Sequence, residues 1–126
     1  MTLARTSALF GFTCIVLGAF GAHGLELYLN EKELGWWETG TFYALSHAVA
    51  ALALGLVSEN KALHRGGWAM LFGVVVFSGT LYAMALGAPT WLGAITPIGG
   101  VSLLIGWALV FFASKDLKRQ EPQQQS

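Results

Sequence analysis

The chain has 126 residues, enough for one domain. Hydrophobic residues make up 55% and charged residues only 11%, against about 25% in a soluble domain, so water is not the solvent for most of this surface. Formal net charge is zero and there is no basic block or RNA- or DNA-binding motif, so nucleic acid is not an expected partner.

Uncharged stretches organise the chain. Twenty uncharged residues separate Arg5 from Glu26, twenty separate Glu38 from Glu59, and 49 separate Arg65 from Lys115. A helix of about 20 apolar residues crosses about 30 Å of hydrocarbon. The first gap places a helix near residues 6–25. A cleaved signal peptide ending near Ala22 is its rival, but the segment is long for that role and its glycine-rich end reads as structure. Cys14 lies within it. As the single cysteine it forms no internal disulfide, and it reads as a small buried hydrophobe.

The second gap places a helix near 39–57. The third holds two, near 67–86 and 91–113, divided at Gly87-Ala88-Pro89-Thr90, where the helical run breaks. Pro97 leaves two readings of the fourth. Either Thr96 is an N-cap with Pro97 at the first helical position, or a helix starting near Trp91 is kinked there. Strands would have to close a barrel to satisfy their backbone in lipid, and no alternating pattern supports that. The expected fold is all-α: an integral membrane bundle of four transmembrane helices over 1–114. The polar tail, 115–126, is expected to be disordered and cytoplasmic.

Orientation follows from Lys and Arg. Four spans put Arg5, Lys61, Arg65, Lys115, Lys118 and Arg119 on one side and leave only Lys32 on the other. Six against one places both termini in the cytoplasm. Tyr28, Trp36, Trp37 and Trp91 fall at outer helix ends and Trp68 at an inner end, where amphipathic rings sit at headgroup level.

Lipid removes the hydrophobic drive between helices, so small residues and polar bonds must join them. Gly18 and Ala22 lie one turn apart on helix 1, and Gly40, Ala44 and Ala48 stack on helix 2. Helix 3 carries Gly73 and Gly79, and helix 4 carries Gly99, Gly100 and Gly106. Tight intramolecular packing is the expected use. Homo-oligomerisation through a leftover small-residue face stays open, but nothing in the sequence indicates it. The lipid bilayer is the one expected partner.

No Asp, Glu, Lys or Arg lies within a span, which counts against ion pumps and proton-driven transporters. His47 stands ten positions after Trp37, about 15 Å along helix 2, near the bilayer midplane. With helix directions applied, His23, Tyr43, His47, Ser78, Tyr82 and Thr96 all map between the midplane and the outer face. A hydrogen-bonded cluster that fixes the bundle is the first reading, since buried polar groups need partners. A small-molecule or ion passage is the second. Two histidines could supply ligands to a metal or haem, but no third is evident, so neither metal nor cofactor is expected. No carboxylate is placed to orient a histidine for hydrolysis, so no catalytic residue is assigned and an enzyme is not expected. His47 itself is expected to be neutral and hydrogen-bonded to His23, Ser78 or Tyr82. A short echo, Thr39-Gly40-Thr41-Phe42-Tyr43-Ala44-Leu45 against Ser78-Gly79-Thr80-Leu81-Tyr82-Ala83-Met84, hints at an inverted repeat.

Four motifs in order carry a family resemblance. They are Gly18-Ala19-Phe20-Gly21-Ala22-His23-Gly24-Leu25, then Trp37-x-Thr39-Gly40-x-x-Tyr43-x-x-x-His47, then Phe77-Ser78-Gly79-x-Leu81-Tyr82, and finally Thr96-Pro97-Ile98-Gly99-Gly100 with Gly106-Trp107. Together they resemble the domain-of-unknown-function 423 family of small YgdD/YwdK-like membrane proteins, over nearly the whole chain except the tail. The resemblance implies a four-helix bacterial inner-membrane protein and brings no activity, substrate or site residues. A structural or accessory membrane protein is therefore the expected function, with a channel or facilitator as the alternative.

Overall fold

The computed structural model describes residues 1–115. The helices are α1 (Leu3–His23), α2 (Glu31–Val57), α3 (Lys61–Ala85) and α4 (Thr96–Ala113), with a 3₁₀ turn at Thr90–Ala94 ahead of α4. Each is long and apolar enough to cross a membrane, α4 together with its 3₁₀ turn. Apart from Lys115, the tail expected to be disordered lies outside the described residues.

α1, α2 and α3 each begin before the uncharged stretch that marked them, because caps rather than charges set their starts. Asn30 accepts from the Glu33 backbone N–H at 2.8 Å while the Glu33 carboxylate accepts from the Asn30 N–H at 3.1 Å. This capping box starts α2 at Glu31, eight residues ahead of 39. Asn60 accepts from the N–H groups of Ala62 and Leu63 and starts α3 at Lys61. Thr2 does the same for α1. The 27 residues of α2 span about 40 Å at 1.5 Å each, so its first turns stand clear of a hydrocarbon layer about 30 Å thick.

Neither reading of Pro97 holds as stated. Thr96 is the first residue of α4 and Pro97 the second, Ile95 occupies the cap position without a side-chain bond, and Trp91 belongs to the separate 3₁₀ turn. Proline is accommodated there because the first-turn N–H groups have no intrahelical acceptor. Gly87, with φ +107°, supplies the left-handed turn that ends the α3 run.

The helices form an open zigzag rather than a closed bundle. α1 packs on α2, α2 on α3, and α3 on α4, while α1 only brushes α3. Cys14, Ala44, Met70, Val74 and Leu103, drawn from all four helices, make the central core. Two grooves result. One, about 320 Å³, lies between α1 and α3 over Ala44. The other, about 450 Å³, lies between α2 and α4 over Phe77.

Glycine makes the seam between α3 and α4. Gly66 faces Gly106 and Gly73 faces Gly99, each pair of partners seven residues apart along its own helix, as an antiparallel contact requires. A Cβ on Gly73 would stand 2.8 Å from the Gly99 carbonyl oxygen, and one on Gly99 would run into the backbone nitrogen of Phe77. Gly79 and Gly100, which the sequence did not distinguish from these, face the open grooves instead.

Candidate functional site

The six polar residues expected to converge do not form one cluster. They separate into three hydrogen-bonded groups and one outlier. His23 is the outlier: it is exposed at the last position of α1.

The first group joins α1, α2 and α3. Ser78, 2% exposed, donates to the Gly40 carbonyl at 2.6 Å. Thr41 donates to the Trp37 carbonyl at 3.0 Å, so the Tyr82 hydroxyl donates to Thr41 Oγ1 at 2.7 Å. Trp37 completes it. This ring, expected at an outer helix end, is packed between helices rather than turned outward: it is 4% exposed, its indole N–H donates to the Leu17 carbonyl at 2.9 Å, and its ring stands 4.3 Å from that of Tyr82. Gly21 leaves the space the ring enters, since a Cβ there would overlap Trp37.

The second group joins α2 to α4. Trp107 Nε1 donates to His47 Nε2 at 2.9 Å, and His47 Nδ1 meets the Tyr43 carbonyl at 2.8 Å. An indole nitrogen only donates and a carbonyl only accepts. The hydrogen therefore sits on Nδ1, Nε2 carries the lone pair, and the imidazole is neutral. The expected partners on α1 and α3 are corrected: His47 meets neither His23, Ser78 nor Tyr82, but Trp107 and its own helix. Tyr43 stacks on His47, ring centroids 6.1 Å apart and planes within 10°, and packs against Phe77 at 4.7 Å.

The third group joins α3 to α4. Thr96 and Thr80 bond hydroxyl to hydroxyl at 2.6 Å, and Ser102 donates to the Ala69 carbonyl at 2.8 Å. Thr41, Thr80 and Ser102 were not singled out from sequence, because a helical Ser or Thr satisfies itself on a carbonyl one turn back as readily as it bridges. Trp107 carried a usable signal: a tryptophan within a span needs an acceptor for its N–H. Ser7 is buried in α1 with no hydrogen-bond partner among the described residues.

Polar side chains thus tie α1 to α2, α2 to α3, α2 to α4 and α3 to α4. Among the described residues no three His, Cys, Asp or Glu side chains are placed to hold a metal ion. Tyr82→Phe keeps the ring packing and removes one bond. It is expected to lower the unfolding free energy in detergent by about 1 kcal/mol, and a loss several times larger would mean the ring itself had moved.

Such a chain is a multi-pass helical membrane protein. It belongs to the family described as protein of unknown function, DUF423, whose model matches residues 17–100. A UPF0382 membrane protein of Staphylococcus epidermidis is 44% identical over 109 residues, covering 85% of this chain and 89% of that one. The UPF0382 membrane protein of Haemophilus influenzae is 44% identical over 109 residues, covering 85% and 88%. The UPF0382 inner membrane protein YgdD of Escherichia coli is 39% identical over 117 residues, covering 90% and 89%. No solved structure matches the chain.

Proposed function

We propose that the chain is a non-enzymatic structural or accessory protein of the bacterial inner membrane, with both termini in the cytoplasm. One observation carries this reading: Trp37, Ser78, Tyr82, Thr96, Ser102 and Trp107 each commit a polar group to a bond between helices at 2.6–2.9 Å, and of the three groups' side chains the Tyr43 hydroxyl alone has no partner among the described residues. A passage needs polar groups lining a continuous path and free to bind and release a solute. Here the polar groups are shared among separate contacts, and the grooves beside them are apolar. The inner-membrane setting follows the name of the Escherichia coli relative.

Vesicles containing the full chain are expected to leak small solutes and ions no faster than empty vesicles. A selective flux that His47→Gln alters would establish the facilitator reading instead. Orientation rests on the six-to-one distribution of Lys and Arg. A reporter fused after Ser126 is expected to be active only as a cytoplasmic protein, and activity on the outer side would reverse the topology.

A further inference from the structure

We propose that the groove between α2 and α4 holds one acyl chain of a phospholipid, drawn from the leaflet that contains the N-terminus of α2, with Tyr43 donating to the lipid's ester carbonyl. This goes beyond an accessory role and does not depend on which face of the membrane is cytoplasmic.

Along α4 the groove runs from Pro97 to Trp107. Those ten helical steps rise about 15 Å, half of a hydrocarbon layer about 30 Å thick. The groove therefore has the depth of one leaflet. Its inner end is closed by Trp107, whose indole reaches across to His47 where the backbones of α2 and α4 do not pack together. Phe77, Val101 and Leu104 make its apolar wall.

Tyr43 supplies the polar anchor. Its ring is held by His47 and Phe77, yet among the described residues its hydroxyl has no hydrogen-bond partner. Helical side chains lean toward the N-terminus of their helix, so this hydroxyl points toward the membrane surface near α2's start. There a phospholipid presents ester carbonyls, which accept hydrogen bonds and have no donor of their own. A phenol left unpaired in hydrocarbon is costly, and the carbonyl removes that cost. The groove between α1 and α3 has no comparable anchor. Thr13 is bonded to the Leu9 carbonyl, Ser78 to the Gly40 carbonyl, and Tyr82 to Thr41.

Each groove has a glycine at which it can be plugged. A Cβ on Gly100 would meet only the Phe77 ring at 3.9 Å, and one on Gly79 would meet nothing within 4 Å. The test uses the full chain, equilibrated in detergent with palmitoyl-oleoyl phosphatidylglycerol, stripped of loose lipid and weighed by native mass spectrometry. Wild type is expected to retain one phospholipid per chain. Gly100→Leu should lose it, Gly79→Leu should keep it, and Tyr43→Phe should weaken retention about five-fold, the worth of one hydrogen bond. The proposal is overturned by no retained lipid, by equal retention in Gly100→Leu and Gly79→Leu, or by a retained molecule whose mass is not a phospholipid's. If Gly100→Leu does not fold, Tyr43→Phe decides alone, and unchanged retention in it overturns the proposal.

Discussion

Replacing Gly99 by leucine is expected to leave no stable four-helix protein, and even Gly99→Ala should cost about 3 kcal/mol, the upper end for overpacking a tight contact. The reason is what the new atom meets. A Cβ at Gly99 overlaps the Phe77 backbone nitrogen and comes within 2.8 Å of the Gly73 carbonyl oxygen. A side chain can turn aside, but these are main-chain atoms of a transmembrane helix. α4 must back away from α3, and the Gly66–Gly106 contact opens with it. Gly100 is the control. Its neighbourhood is open, so Gly100→Ala should be neutral or stabilise by about 0.5–1 kcal/mol from the lower backbone entropy of alanine. Thermal unfolding in detergent separates the two, and equal behaviour of Gly99→Ala and Gly100→Ala would contradict the seam.

His47→Leu is the second large effect, expected to cost about 1–3 kcal/mol because it leaves the Trp107 N–H, on a ring within the membrane-spanning stretch of α4, without an acceptor. Hydrogen bonds between membrane helices average nearer 0.6 kcal/mol when both partners are counted. The upper part of the range therefore comes from the orphaned indole rather than the bond. His47→Gln keeps an oxygen that can accept and should cost less than the leucine variant. Leucine and glutamine variants equal in stability to wild type would mean that the imidazole does not join α2 to α4.

Much of this architecture was legible because charge is expensive in hydrocarbon: most of the gap after Arg5 is filled by α1, nearly all of that after Glu38 by α2, and that after Arg65 holds most of α3 and all of α4. Helix ends were less legible. Asn30 and Asn60 cap helices outside the uncharged stretches, where hydropathy carries no information. The polar network was legible in depth and not in rotation. Counting residues gives height along a helix, and on that measure His23, His47 and Tyr82 share the outer half. Which neighbour each residue faces depends on how the helices turn against one another. His23 lies off the buried stripe of Leu3, Ser7, Cys14 and Gly21. Trp37 was legible as an amphipathic ring near a helix end, but not the slot that Gly21 opens for it between α1 and α2. Equally, Gly79 and Gly100 read like Gly73 and Gly99 in sequence, and only the packing tells a seam from a groove.

If the intramembrane polar side chains act as ties between helices, the two members of a tie must depend on each other. A double-mutant cycle measures that dependence, with unfolding free energies in detergent for wild type, His47→Leu, Trp107→Phe and the pair. If the imidazole and indole hold α2 to α4, the two losses should fail to add. Once His47 is leucine, removing the indole N–H removes only an orphan, so the double variant should be about 1 kcal/mol more stable than the sum of the singles predicts. Strict additivity would show that the two rings do not interact and would contradict the claim.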